Sequence, residues 1–228
     1  MLLDKYQSEW DDLCSNYANF SFIDEMPANP LLLEVPPMYY EADCKVMIFG
    51  KETNGWENIF PHTGGVSHIL NIYDLFYNKG GCYNRSTPFW NAEKKFERVL
   101  IEKLKPSGRS LSILWNNVIK IGSANAKGTP GDIILKWEDK WFDIVLFEIK
   151  ELKPDIVIFF SGHDYDKYIR RIFSEATFER VNERTEKQLA RVKSPWLPEN
   201  SIRTYHPQYL YFNGLDKYLN DIIGALNC

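Results

Sequence analysis

Two short stretches at opposite ends of the chain hold the side chains best suited to acid–base chemistry. Val46-Met47-Ile48-Phe49-Gly50-Lys51-Glu52-Thr53-Asn54-Gly55-Trp56 is an apolar run that stops at a glycine and delivers a carboxylate two residues later. Ser201-Ile202-Arg203-Thr204-Tyr205-His206-Pro207-Gln208 is a second run, ending in a histidine. A carboxylate in such a loop can take a proton from water. An imidazole aimed by the fixed backbone of the following proline can donate a hydrogen bond to a developing anion. A third run closes on Trp115-Asn116-Asn117, and an amide there pairs with a ring that shows a carbonyl beside an N–H. Either asparagine fits. Each of these residues also has a plainer use, the carboxylate as a helix cap and the histidine and asparagines in tight turns.

The elements that must position them alternate strand with helix. Lys45 to Phe49, Leu111 to Leu114, Ile156 to Phe160 and Ile202 to Tyr205 read as short buried strands, each followed by a polar loop. Apolar spacing predicts helices over residues 4–20, 89–104, 141–152, 165–176 and 215–226. Pro27, Pro30, Pro36 and Pro37 make residues 26–37 an extended stretch. Residues 51–66 and 79–88 read as irregular loops, and loops of that length tend to carry function. The mixed charges of Arg180 to Lys193 read as a solvated helix face. The fold class is therefore α/β, a three-layer α/β/α sandwich around a small, mostly parallel four-stranded sheet. A single domain spans 1–228, with an N-terminal helix and Pro-rich segment (1–44) packed on it. In such a sheet the loops leaving the carboxyl ends of neighbouring strands share one crevice, so Glu52 and His206 are expected to face each other.

Composition narrows the function. A formal net charge of -4 argues against a general electrostatic nucleic-acid binder, which needs a dense basic surface. The 14 Phe, 13 Tyr and 7 Trp exceed what a core alone uses, so some rings are candidates for stacking surfaces. Cys14, Cys44, Cys82 and Cys228 form no C-x-x-C pair, which supports neither a zinc site nor a disulfide scaffold. His62 and His68 lie in a loop without a Cys or Asp beside them, so no metal site and no cofactor are expected. The chain has no signal-like start and no apolar run near the roughly 20 residues that cross a bilayer, which predicts a cytoplasmic protein with no membrane partner, and a monomer is expected. Ser161-Gly162-His163-Asp164 lacks the G-x-S-x-G frame of a serine nucleophile elbow.

In order along the chain, Gly50-Lys51-Glu52, the strand ending Asn116-Asn117, the strand opening Lys153-Pro154-Asp155, and His206-Pro207 resemble the motifs of the uracil-DNA glycosylase superfamily. The resemblance covers about residues 45–225. It implies a water-activating role for Glu52, base reading by Asn116 or Asn117, and stabilisation of the expelled base by His206. It further implies Gly50, Lys51, Asn54, Pro207 and Gln208 as ligand contacts, with Trp56 or Phe60 as the stacking ring. The implied partner is single- or double-stranded DNA carrying a modified base, and the implied activity is base excision. Thr53-Asn54 and Gln208 stand where the family has Pro and Ser, the small residues that grip phosphates. A second expectation is therefore a member of this fold that binds nucleic acid, a nucleotide or a protein without cleaving the glycosidic bond.

Overall fold

A computed structural model describes residues 1–227. Six strands, β1 (Cys44–Gly50), β2 (Leu111–Asn117), β3 (Ile156–Phe159), β4 (Thr177–Arg180), β5 (Leu189–Lys193) and β6 (Asn200–Thr204), form one mixed sheet in the order β2-β1-β3-β6-β5-β4. The first four of that order run parallel, and β5 and β4 are antiparallel. Nine α-helices are described: α1 (Leu2–Asn16), α2 (Pro37–Glu41), α3 (Gly65–Tyr73), α4 (Pro88–Leu104), α5 (Asp132–Trp141), α6 (Val145–Leu152), α7 (Asp166–Ile172), α8 (Pro207–Phe212) and α9 (Leu215–Ala225).

β1 is buried almost throughout, which is why it reads as a continuous apolar run and not as an alternation. Its side chains still divide by parity. Val46 and Ile48 join Ile158, Ile202, Phe96, Leu100 and Leu219 on the face covered by α4 and α9. Met47 and Phe49 join Val157, Phe159, Ile149 and Ile169 on the face covered by α6 and α7. The structure is thus α/β with helices on both sides of the sheet. α4 shows how sequence makes one of these layers. Pro88 occupies its first turn, where no N–H is needed, and Ala92, Phe96, Leu100 and Leu104 recur every four residues to form the buried stripe. Each large side chain in that stripe contributes roughly 1.5–3 kcal/mol by burial.

The sheet is larger than the four strands expected. The stretch read as a solvated helix face forms the β4–β5 hairpin instead. Its period is two: Phe178 faces Val192 across the pair while Glu179 and Lys193 point outward and pair at 2.8 Å. Leu189, Ala190 and Val192 are buried, and β5 completes the open edge of β6. Residues 132–141, where no helix was expected, form α5 around the buried Ile134 and Trp137. The helix expected over 141–152 begins at Val145. The Pro-rich stretch is extended as expected, with Leu31 N–H bonded to the Lys120 carbonyl at 2.9 Å. Among the described residues no helix is long and apolar enough to cross a membrane. Cys228 lies outside the described residues.

Register places the chemistry. Gly50 pairs with Asn117, Phe49 with both Asn116 and Phe159, and Phe159 with Arg203, so β1, β2, β3 and β6 all finish along one edge. The loops that follow them therefore meet there.

Candidate active site

A cavity of about 690 Å³ opens at that edge, lined by residues that include Gly50, Lys51, Glu52, Asn54, Trp56, Asn117, His206 and Gln208. The two ends of the chain thus converge on one site. The loop after β1 is held by backbone bonds that prolong its pairing, from Val118 N–H to the Gly50 carbonyl (3.1 Å) and from Ile119 N–H to the Lys51 carbonyl (2.9 Å).

Glu52 accepts a hydrogen bond from the Tyr165 hydroxyl, which also bonds Thr129 at 2.7 Å. Burial lifts the Glu52 carboxyl above its ordinary range, against the pull of the Tyr165 bond and the Lys51 charge. Lys51 Nζ lies 4.8 Å from the centre of the Tyr165 ring. The same cation acts on His206, whose pKa is pushed down to about 4, chiefly by burial and further by Lys51. His206 is therefore neutral at ordinary pH. Its Nδ1 accepts from Gln208 N–H at 3.2 Å where it caps α8, which leaves the ring proton on Nε2. A neutral imidazole with its tautomer fixed is a hydrogen-bond donor that no proton transfer needs to prepare.

The two adjacent asparagines separate cleanly. Asn116 is fully buried on the α6 side, where its amide donates to Glu148 (2.8 Å) and accepts from Lys120 Nζ (2.7 Å). Asn117, one residue on, takes the opposite side and lines the cavity. Its Nδ2 is buried and has no hydrogen-bond partner. Gly50 makes room for this amide: a Cβ at Gly50 would lie 2.4 Å from Asn117 Oδ1 and 3.3 Å from the Phe89 ring. Trp56 Nε1 is a second buried, unpartnered donor among the cavity residues. Both residues line the cavity, and neither donor has a partner among the described residues.

Not every expected contact is there. Phe60 packs in the core, its ring 5.0 Å from Trp10 and 5.1 Å from Trp137, and is not a stacking surface for a ligand in this cavity. Pro207 is buried in the first turn of α8 and fixes His206 without lining the cavity. Asn116 is likewise excluded by its own bonds. Phe76, Arg85, Phe89, Trp90 and Trp115 also line the cavity and were not expected to. Trp115 packs edge-on to Trp90 at 4.9 Å and to Trp56 at 5.7 Å, and Phe89 lies 6.0 Å from the His206 ring. Pro88-Phe89-Trp90 at a helix start was the one local signal available. The hydrogen bond from Tyr165 to Glu52 spans 113 positions and had no sequence signal.

The expectation of no metal ligands also changes. A left-handed backbone at Glu57 (φ 51°) and Asn58 (φ 61°) brings the Glu57 carboxylate to 3.0 Å from His68 Nε2, beside His62. No protein-family model and no curated protein sequence matches the chain.

Proposed function

We propose that the protein hydrolyses the N-glycosidic bond of uracil or another deaminated base in DNA. The observation that carries this reading is the meeting, at one edge of parallel strands, of a burial-raised carboxylate, a buried unpartnered amide and a neutral histidine. These are Glu52, Asn117 and His206. The motifs at the ends of the parallel strands support the glycosylase-like reading.

In this reading the target nucleotide leaves the stack and enters the cavity, at a cost of a few kcal/mol. Asn117 Nδ2–H donates to a ring carbonyl, and the Phe89 ring, which flanks both Gly50 and His206, supplies an apolar face for the base. Glu52, oriented by Tyr165, takes a proton from water as that water attacks the sugar carbon. The transition state has oxocarbenium character, and the electrons of the broken bond move onto the base. The Nε2–H of His206 donates to the oxygen where that charge collects. Lys51 favours the ionised form of Glu52 and the neutral form of His206 together. The protein acts as a monomer with no cofactor in these steps.

A second reading, binding without cleavage, is favoured by the bond that ties one Glu52 oxygen to Tyr165. Thr53, Asn54 and Gln208, in place of small phosphate-gripping residues, favour it too. Base release from single-stranded and duplex oligonucleotides carrying uracil, hypoxanthine or xanthine separates the two. Release that is lost in Glu52→Gln and His206→Ala supports hydrolysis. Tight binding by wild type without release supports the second reading.

A further inference from the structure

We propose that Glu57, His62 and His68 form a binding site for one divalent transition-metal ion of the zinc class. One ligand atom from each lies within 4.8 Å of the others, and all three residues are part-exposed, so an ion can reach them. Two donors on one tetrahedral zinc stand about 3.3 Å apart, given bond lengths near 2.0–2.1 Å. The Glu57–His68 pair already meets that spacing at 3.0 Å, and His62 joins them when its ring turns out of the parallel stack, so that both imidazoles aim an in-plane lone pair at the ion.

Three features of the loop belong together. The His62 and His68 rings lie face to face, 3.8 Å apart and 6° from parallel, an arrangement that two imidazoles do not prefer for its own sake. Gly64 permits it, because a Cβ there would lie 2.6 Å from His68 Cβ and 3.2 Å from His62 Nδ1. Asn29 clamps the other end. Its amide donates to the Glu57 carbonyl at 2.8 Å and its oxygen accepts from His62 N–H at 2.9 Å. Among the described residues the only ion pair of Glu57 is with His68, so no Lys or Arg competes for the carboxylate.

Coordination has one requirement at His62. Its Nδ1 accepts from Gly64 N–H at 3.0 Å, and coordination ends that bond by either route: through Nδ1 the ion takes its place, and through Nε2 the ring proton moves to Nδ1, which then no longer accepts. The donor set, two imidazoles and a carboxylate with water completing the shell, selects zinc, cobalt or nickel over calcium and magnesium. An ion here joins the loop after β1 to α3. Glu57 and its neighbour Trp56 line the cavity from that loop, and Ile72 lines it from α3. The ion would thus hold two walls of the cavity together, whatever reaction the cavity performs.

Calorimetry with zinc chloride, and the visible spectrum of added cobalt(II), test this on the whole chain after chelator treatment. The result expected is one ion per chain with a tetrahedral or five-coordinate cobalt spectrum, and no heat with calcium. Affinity should fall at least about 10-fold in Glu57→Gln, His62→Ala and His68→Ala, with circular dichroism unchanged. Gly64→Ala, which removes no ligand, should weaken binding by separating the two rings. Absence of zinc binding by folded wild type overturns the site. Binding that persists in the His62→Ala/His68→Ala double variant also overturns it, and would point to the exposed thiol of Cys14.

Discussion

Two buried polar clusters sit on either side of a single peptide bond, and they are built on opposite principles. On one side Asn116, Lys120, Glu148 and Tyr6 satisfy one another. Lys120 Nζ reaches both Glu148 oxygens (2.9 and 3.1 Å), Tyr6 donates to Glu148 at 2.6 Å, and the Leu33 N–H bonds the Tyr6 hydroxyl at 3.1 Å. On the other side Asn117 keeps a buried N–H with no partner, beside a carboxylate raised by burial and a histidine held neutral. The first cluster ties α1 and α6 to β2. The second leaves a buried donor at the cavity without a partner among the described residues. Removing a member of the first should cost stability, and removing a member of the second should cost the proposed activity.

The largest effect should come from breaking the satisfied cluster. Glu148→Ala leaves the Lys120 ammonium, already disfavoured by burial, without its counter-charge. A loss of about 3–5 kcal/mol in urea unfolding is predicted, enough to unfold a marginal domain. An unchanged unfolding midpoint would show that the cluster does not hold the layers together. The same class of change at the cavity should cost far less: Glu52→Gln should unfold near the wild-type midpoint, and His206→Ala should lose only its cap on α8, about 0.5–2 kcal/mol. Both are predicted to lower base release by roughly 10²–10³.

The two asparagines give the sharpest contrast. Asn116→Ala removes partners from Lys120 and Glu148 and should cost about 1–3 kcal/mol of stability. Asn117→Ala removes an N–H that bonds nothing and should change stability by no more than about 0.5 kcal/mol. It should reduce base release roughly 10²-fold. Equal stability losses in the two variants would erase the distinction between the clusters.

The smallest effect is on pH dependence. Glu52 must be ionised to activate water, so release falls as pH drops through its pKa, which lies above the ordinary Glu value of 4.5. His206, pushed down to about 4, titrates below Glu52 and so does not set where the limb begins. Lys51 lowers the Glu52 pKa, so Lys51→Ala should move the acid limb to higher pH. A limb that stays in place in Lys51→Ala would show that another group controls it.

The parallel half of the fold was legible in the sequence, because β1 and β3 are short apolar runs and all of β1, β3 and β6 end in turn chemistry, at Gly50, Ser161-Gly162 and His206-Pro207. The β4–β5 hairpin was not. Its charged residues suit a helix and an edge hairpin equally, and only the open edge of β6 decides between them. Glu52 and His206 were readable because register alone brings them together. The choice between Asn116 and Asn117 was not, since a one-residue difference in strand parity exchanges core for cavity. Phe60 was misread for a related reason: an aromatic in an irregular loop gives no sign of which way it packs, and Trp10 and Trp137 claim it.

Hydrolysis of a glycosidic bond at Glu52, Asn117 and His206 is the activity proposed for the cavity. Incubation of the folded wild-type protein with uracil-containing single-stranded and duplex oligonucleotides, followed by chromatography of free base and of the abasic strand, tests it most directly. Equal amounts of free base and abasic site, with no strand scission, are the expected result. Binding of the oligonucleotide with no base released from uracil, hypoxanthine or xanthine substrates would contradict it.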